Sequence, residues 1–114
     1  MEISQQQTID VLREWQRKKW IIQGGMIDSL DNNAAIFGCI EESDDHSVRI
    51  DARTFAQKAK NIGIIIRLNN AAFSFGDWPE TPPKYEGDLQ FSYKAFLIIT
   101  FTNGTRCELY ATNL

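Results

Sequence analysis

The sequence predicts an α+β domain: one antiparallel sheet of about six or seven strands, able to curl toward a barrel. An N-terminal amphipathic helix packs on one face, and a short second helix is added. Three observations predict it. Residues 4–22 repeat apolar side chains at helical spacing, the rest of the chain changes to a period of two, and Asn103-Gly104 joins two strand-like runs. The 114 residues fit one domain, 1–114, and a 43% apolar, 24% charged composition excludes a disordered or collagen-like chain.

The helix is expected over about 4–22. Ser4 with Gln7 three residues on has the capping-box pattern. On a helical wheel Ile9, Val11, Leu12, Trp15, Trp20 and Ile22 share one half, and Asp10, Arg13, Glu14 and Arg17 take the other. Gly24-Gly25 ends the helix at the latest, and its end can fall near Trp20.

Strands are expected over about 26–51 and 62–112. Met26 to Leu30 and Ala34 to Ile40 flank the turn cluster Asp31-Asn32-Asn33, and Ser47 to Asp51 follows. Ala52, Phe55, Ala56 and Ala59 have helical spacing behind a capping Asp51, which gives the short helix at about 52–60. Ile64 to Leu68, a turn at Asn69-Asn70, and Ala71 to Phe75 come next. Asp88 to Thr102 is the longest strand signal and Thr105 to Thr112 is its partner. A two-residue type I′ turn at Asn103-Gly104 sets Thr102 opposite Thr105. One face then carries Phe96, Ile98, Thr100, Cys107, Leu109 and Ala111. The other carries Leu97, Ile99 and Phe101 opposite Tyr110, Glu108 and Arg106. The long strand is apolar on both faces, so it reads as central, with 105–112 as its solvent-edge neighbour.

Net charge is −3 and unevenly spread: seven acids against one cation over 25–51, four cations and no acid over 52–70. A weakly acidic total argues against a nucleic-acid binder, whose affinity rests on phosphate neutralisation. Basic residues do interleave with Trp15 and Trp20 over 13–20, as on single-strand platforms. Cations at a helix C-terminus and tryptophans on its apolar face explain the same pattern. The first residues lack a basic-then-apolar signal, and no apolar run reaches the ~18–20 residues of a membrane span. A cytoplasmic protein with two free cysteines is the expectation.

Catalytic motifs are missing. His46 is the only histidine and sits in Glu41-Glu42-Ser43-Asp44-Asp45-His46, whose spacing does not match an EF-hand. Asp and Ser dominate turns for local hydrogen-bonding reasons, so a solvated turn outweighs a metal or acid/base site. Cys39 and Cys107 stand among strand-like apolar neighbours without a CxxC pair, which reads as inert core. No GxGxxG, P-loop or GxSxG is present. The sequence thus predicts no cofactor, no metal and no catalytic set, and it favours a non-enzyme.

The remaining candidate is FGDWPETPPKYEGD, the proline-rich loop 76–88. Pro79, Pro82 and Pro83 bar an interior strand and stiffen the chain. Trp78 and Tyr85 are interface-type residues beside Asp77, Glu80, Glu86 and Asp88. Asp77, Trp78, Glu80, Tyr85 and Glu86 are the predicted contact residues for a protein partner with a basic surface. The alternative is an arm whose Trp and Tyr fold back over the core.

In general layout the chain resembles small bacterial or phage accessory proteins, such as immunity proteins that bind a toxin. The resemblance implies a protein-binding or regulatory domain. The competing reading is a small-molecule-binding or enzymatic domain with a pocket in the curled sheet, lined by polar groups such as Arg67, Arg106 and Glu108. The strand 105–112, without proline, leaves a homodimer through edge pairing as a third expectation.

Overall fold

The structure, a computed structural model, describes residues 1–51, 63–77 and 93–112. A two-residue strand, β1 (Glu2–Ile3), precedes the helix α1 (Gln5–Lys18). Seven strands follow: β2 (Ile21–Ile27), β3 (Asn33–Ser43), β4 (Ser47–Asp51), β5 (Gly63–Arg67), β6 (Ala71–Asp77), β7 (Tyr93–Phe101) and β8 (Arg106–Thr112). All eight pair antiparallel in one open sheet, in the order β1-β6-β7-β8-β2-β3-β4-β5. The class is α+β, with eight strands among the described residues in place of the six or seven expected. The second helix expected at 52–60 and residues 78–88 of the proline-rich loop lie outside the described residues. No helix among the described residues is long and apolar enough to cross a membrane.

The helix begins where the sequence places it. The Gln7 N–H donates to Ser4 Oγ at 3.1 Å, and the Ser4 N–H donates to Gln7 Oε1 at 2.8 Å, a complete capping box. It ends earlier than expected, at Lys18. Lys19 turns into the left-handed conformation at φ 56, and the Trp20 N–H donates to the Trp15 carbonyl at 3.1 Å. Ile21 and Ile22 therefore belong to β2, and Gly24-Gly25 lies mid-strand instead of terminating a helix. The turn at Asn69-Asn70 holds, whereas the one expected at Asp31-Asn32-Asn33 covers 28–32: Asp28 to Leu30 leave the expected strand and Asn33 enters β3. Asp31 (φ 64) and Asn70 (φ 58) both adopt positive φ, which Asp and Asn tolerate better than most residues.

The β7–β8 hairpin departs from the expected register by one residue. Its loop is three residues long, Thr102–Asn103–Gly104. The Gly104 N–H donates to the Phe101 carbonyl, the Phe101 N–H donates to the Thr105 carbonyl, and Gly104 sits at φ 90. This is the type I turn with a left-handed closing residue. Thr100 then pairs with Arg106, and Leu97 with Leu109. A one-residue slip exchanges the partners across the whole ladder. Ala95, Leu97 and Ile99 share the inner face with Ala111, Leu109 and Cys107, while Phe96, Ile98 and Thr100 stand outside opposite Tyr110, Glu108 and Arg106. The strand expected at a sheet edge, β8, is interior, held between β7 and β2. Among the described residues the edges are β1 and β5.

Only three residues, Leu68–Asn70, connect β5 to β6, yet these strands stand six places apart in the sheet. Six strand spacings across a flat sheet amount to about 29 Å. Four Cα–Cα steps reach at most about 14 Å. The sheet must therefore curl until its two sides approach. Among the described residues no ladder joins β1 to β5, so the curl stops short of a barrel. The helix fills the hollow and touches both β3 and β6. Its Ile9, Leu12 and Trp15 pack into one core with Ile22, Ile36, Ile40, Val48, Ile50, Ile66, Leu68, Phe73, Leu97, Ile99 and Leu109.

Candidate interaction surface

The helix occupies the inner face, so among the described residues the outer face is the broad surface open to a partner. The ladders align its residues in rows. One row runs Gly76–Phe96–Tyr110–Gln23–Phe37 across β6, β7, β8, β2 and β3. The next runs Ser74–Ile98–Glu108–Gly25–Ala35. Phe96 lies over Gly76, where a Cβ would collide with its ring. Phe37 is 43% exposed on the strand β3.

Polar side chains tie the centre of this face together. The Tyr93 hydroxyl donates to Gln23 Oε1 at 2.6 Å, and the Tyr93 and Tyr110 rings lie 5.5 Å apart in a tilted pair. The Tyr110 hydroxyl donates to Glu108 Oε1 at 3.0 Å, and Arg106 Nη2 lies 3.5 Å from the other oxygen of that carboxylate. On β4, Arg49 Nε is 3.3 Å from Asp51 Oδ2, and Asp51 is buried. Among the described residues every buried side-chain polar atom has a hydrogen-bond partner. Tyr110, Glu108 and Arg106 share this face as the sequence indicated. Gln23 and Tyr93 were missed. The alternation of Ile22, Gly24 and Met26 against Gln23, Gly25 and Ile27 carried the signal for Gln23. Tyr93 precedes a bulge before Ala95 that no sequence pattern announces.

The pocket-lining set does not converge. Arg106 and Glu108 adjoin on β8, whereas Arg67 is on β5, four strands away, and the hollow of the curl is filled by α1. Of the predicted contact residues, Asp77 closes β6, and Trp78, Glu80, Tyr85 and Glu86 lie outside the described residues.

His46 sits in the β3–β4 turn, organised by a carboxylate. Asp44 Oδ1 accepts from the backbone N–H of His46 at 2.7 Å and of Ser47 at 2.8 Å. Those bonds, the His46 N–H first, hold the Asp44 carboxyl below its ordinary range. Asp45 pairs with Arg13 of α1 at 3.0 Å. Among the described residues no group of three His, Cys, Asp or Glu side chains is placed to hold a metal. The basic helix end is likewise engaged locally: Arg17 and Lys18 both pair with Glu14, and Lys18 stacks on Trp20 at 4.7 Å. Trp15 is buried and offers no ring for stacking on a base.

Both cysteines are buried. Burial first, and the Glu108 carboxylate second, push the Cys107 thiol up to about 12. A thiol that stays protonated is neither nucleophile nor metal ligand. The native protein is expected to leave Cys107 unmodified by iodoacetamide at pH 8, with modification appearing only in denaturant. Mass spectrometry of the alkylated chain decides it, and rapid labelling of Cys107 in the folded state would contradict the packing described.

No protein-family model matches the chain, and no curated protein and no solved structure matches it.

Proposed function

We propose that this chain is a small protein-binding or regulatory domain of the accessory type, acting in the cytoplasm without a catalytic centre. The observation that carries the reading is the outer sheet face. It carries the exposed Phe37 and the part-exposed Tyr93, Phe96 and Ile98 around the buried Tyr110, with Arg106 at its margin, and aromatic residues and Arg are the types enriched in protein interfaces. Ladders on both sides hold the main chain of Phe96, Ile98, Arg106 and Tyr110, so little backbone freedom is lost on docking. The acidic stretch that contains Asp77, Glu80 and Glu86, with Trp78 and Tyr85, gives the partner its basic character. A cytoplasmic setting suits two buried cysteines.

The test is capture of a partner from extract of the source organism, quantified by mass spectrometry. Phe37→Glu combined with Ile98→Lys should reduce the captured partner at least tenfold while leaving the thermal melt close to wild type. Trp78→Ala with Glu80→Lys probes the acidic stretch separately. If the outer-face variant folds and captures as much as wild type, the surface is wrong.

A further inference from the structure

The strand β5 is an edge of the sheet, and its sequence is Gly63-Ile64-Ile65-Ile66-Arg67. Three consecutive isoleucines make it strongly β-forming. Edge strands in soluble proteins are usually protected by proline, lysine, a bulge or an inward charge. β5 has none of these among its described neighbours: its register on β4 is unbroken, and its one charge, Arg67, is at its end. Ile65 is 62% exposed.

Which backbone groups point outward follows from one hydrogen bond. The Leu68 N–H donates to the His46 carbonyl at 2.7 Å, across β5 to the β4 side. In an antiparallel ladder both polar groups of a residue point the same way, and the direction alternates along the strand. Leu68, Ile66 and Ile64 therefore turn their N–H and C=O toward β4. Arg67, Ile65 and Gly63 turn theirs away from it. The exposed side chain of Ile65 and its outward main-chain pair stand at the centre of an edge that no strand among the described residues covers.

We infer that β5 pairs antiparallel with β5 of a second copy of this chain, about a two-fold axis at Ile65. The segment is self-complementary in that register. Ile65 meets Ile65, Gly63 meets Arg67, and Ile64 meets Ile66, which extends the inner apolar row of one copy into the other. The three outward-turned positions supply about six main-chain hydrogen bonds across the axis. Charge agrees with the register: the two Arg67 side chains fall at opposite ends of the ladder, about 14 Å apart, beyond a Debye length of ~8–10 Å. Each instead stands beside the glycine whose own β4 neighbour is Asp51. A small residue opposite a long cation leaves the guanidinium room on the outer face. An isologous contact of this kind closes at two copies and consumes the edge that would otherwise template further pairing. This edge is separate from the outer-face surface proposed above, and either can fail alone.

Sedimentation equilibrium over a hundredfold concentration range tests it. Wild type should rise from the 13.1 kDa monomer toward twice that mass. Ile65→Lys should stay monomeric at every concentration. Ile65→Pro should too, and it removes only an N–H that β4 does not use, so the fold is retained. If Ile65→Pro fails to fold, Ile65→Lys decides alone. The register is read by crosslinking. A hydrogen-bonded pair sets the two Cα atoms about 5.5 Å apart, within disulfide range. Ile65→Cys should therefore crosslink under mild oxidation, and Arg67→Cys, which faces Gly63, should not. A wild type that remains at the monomer mass throughout overturns the proposal, including the case in which β5 serves a strand of another protein. So does a dimer that persists in Ile65→Lys, or equal crosslinking by both cysteine variants.

Discussion

Trp15→Ala is expected to remove about 3–5 kcal/mol of stability, the range for emptying a large aromatic site in a core. Whole domains have only about 5–15 kcal/mol. Trp15 is 3% exposed and belongs to the single cluster that joins α1 to both halves of the curled sheet. The geometry makes the loss hard to recover. A flat sheet can shift toward a truncated helix residue, but here the three-residue β5–β6 connection fixes the curl, and the hollow keeps its size. Trp15 also has a second duty, because its carbonyl accepts the Trp20 N–H that closes the helix, but alanine keeps that carbonyl. The whole effect is therefore side-chain volume. Urea denaturation followed by circular dichroism measures it, with Trp20→Ala as the part-buried control. A loss below about 1 kcal/mol would mean that the helix does not fill the curl.

The difference between what the sequence discloses and what it hides is physical. The helix start is local chemistry, Ser4 and Gln7 satisfying one another, so it is legible. The helix end is not. Trp20 and Ile22 continue the apolar wheel, while Ile22, Gly24 and Met26 also satisfy a period of two, and the stop is made by Lys19 in a conformation that no lysine advertises. The hairpin is legible as a hairpin, but its register is not. Residues 95–101 are apolar on both faces, so a slip of one costs nothing visible in the pattern. Polar outward residues on β8 suggested an edge strand, yet Glu108 takes Tyr110 and Arg106 as partners, and an interior strand carries all three. Sheet order is the least local property of all. That β5 and β6, adjacent in the chain, lie on opposite sides of the sheet depends on every other strand pairing first. The outer surface was half legible for the same reason: Tyr110, Glu108 and Arg106 lie on one strand, whereas Gln23 and Tyr93 join them only through the fold.

Gly24→Ala is expected to cost about 3 kcal/mol or more, at or beyond the upper end for forcing extra atoms into a packed interior. A general rule points the other way. Glycine to alanine at an ordinary extended position stabilises by about 0.4–1 kcal/mol, because the unfolded chain loses freedom. The sign is decided by what the new methyl meets. At Gly24 it falls directly on the Glu108 carbonyl oxygen, 2.9 Å from the carbonyl carbon and 3.2 Å from the Leu109 Cα. These are main-chain atoms of β8, pinned by the β7 ladder on one side and the β2 ladder on the other, so no side chain can swing away to make room. The two strands would have to separate at the middle of the seven-residue β2–β8 pairing. Gly25 is the internal control. A methyl there meets only the Ala34 carbonyl oxygen at 3.4 Å, so Gly25→Ala is expected to stay within about 1 kcal/mol of wild type. Hydrogen exchange adds a readout that stability alone does not give: in Gly24→Ala the amides of β2 and the middle of β8 should lose protection before those of β4 and β5. If Gly24→Ala melts at the wild-type temperature, the close approach of β8 to β2 is wrong, and the outer-face rows built on that register fall with it.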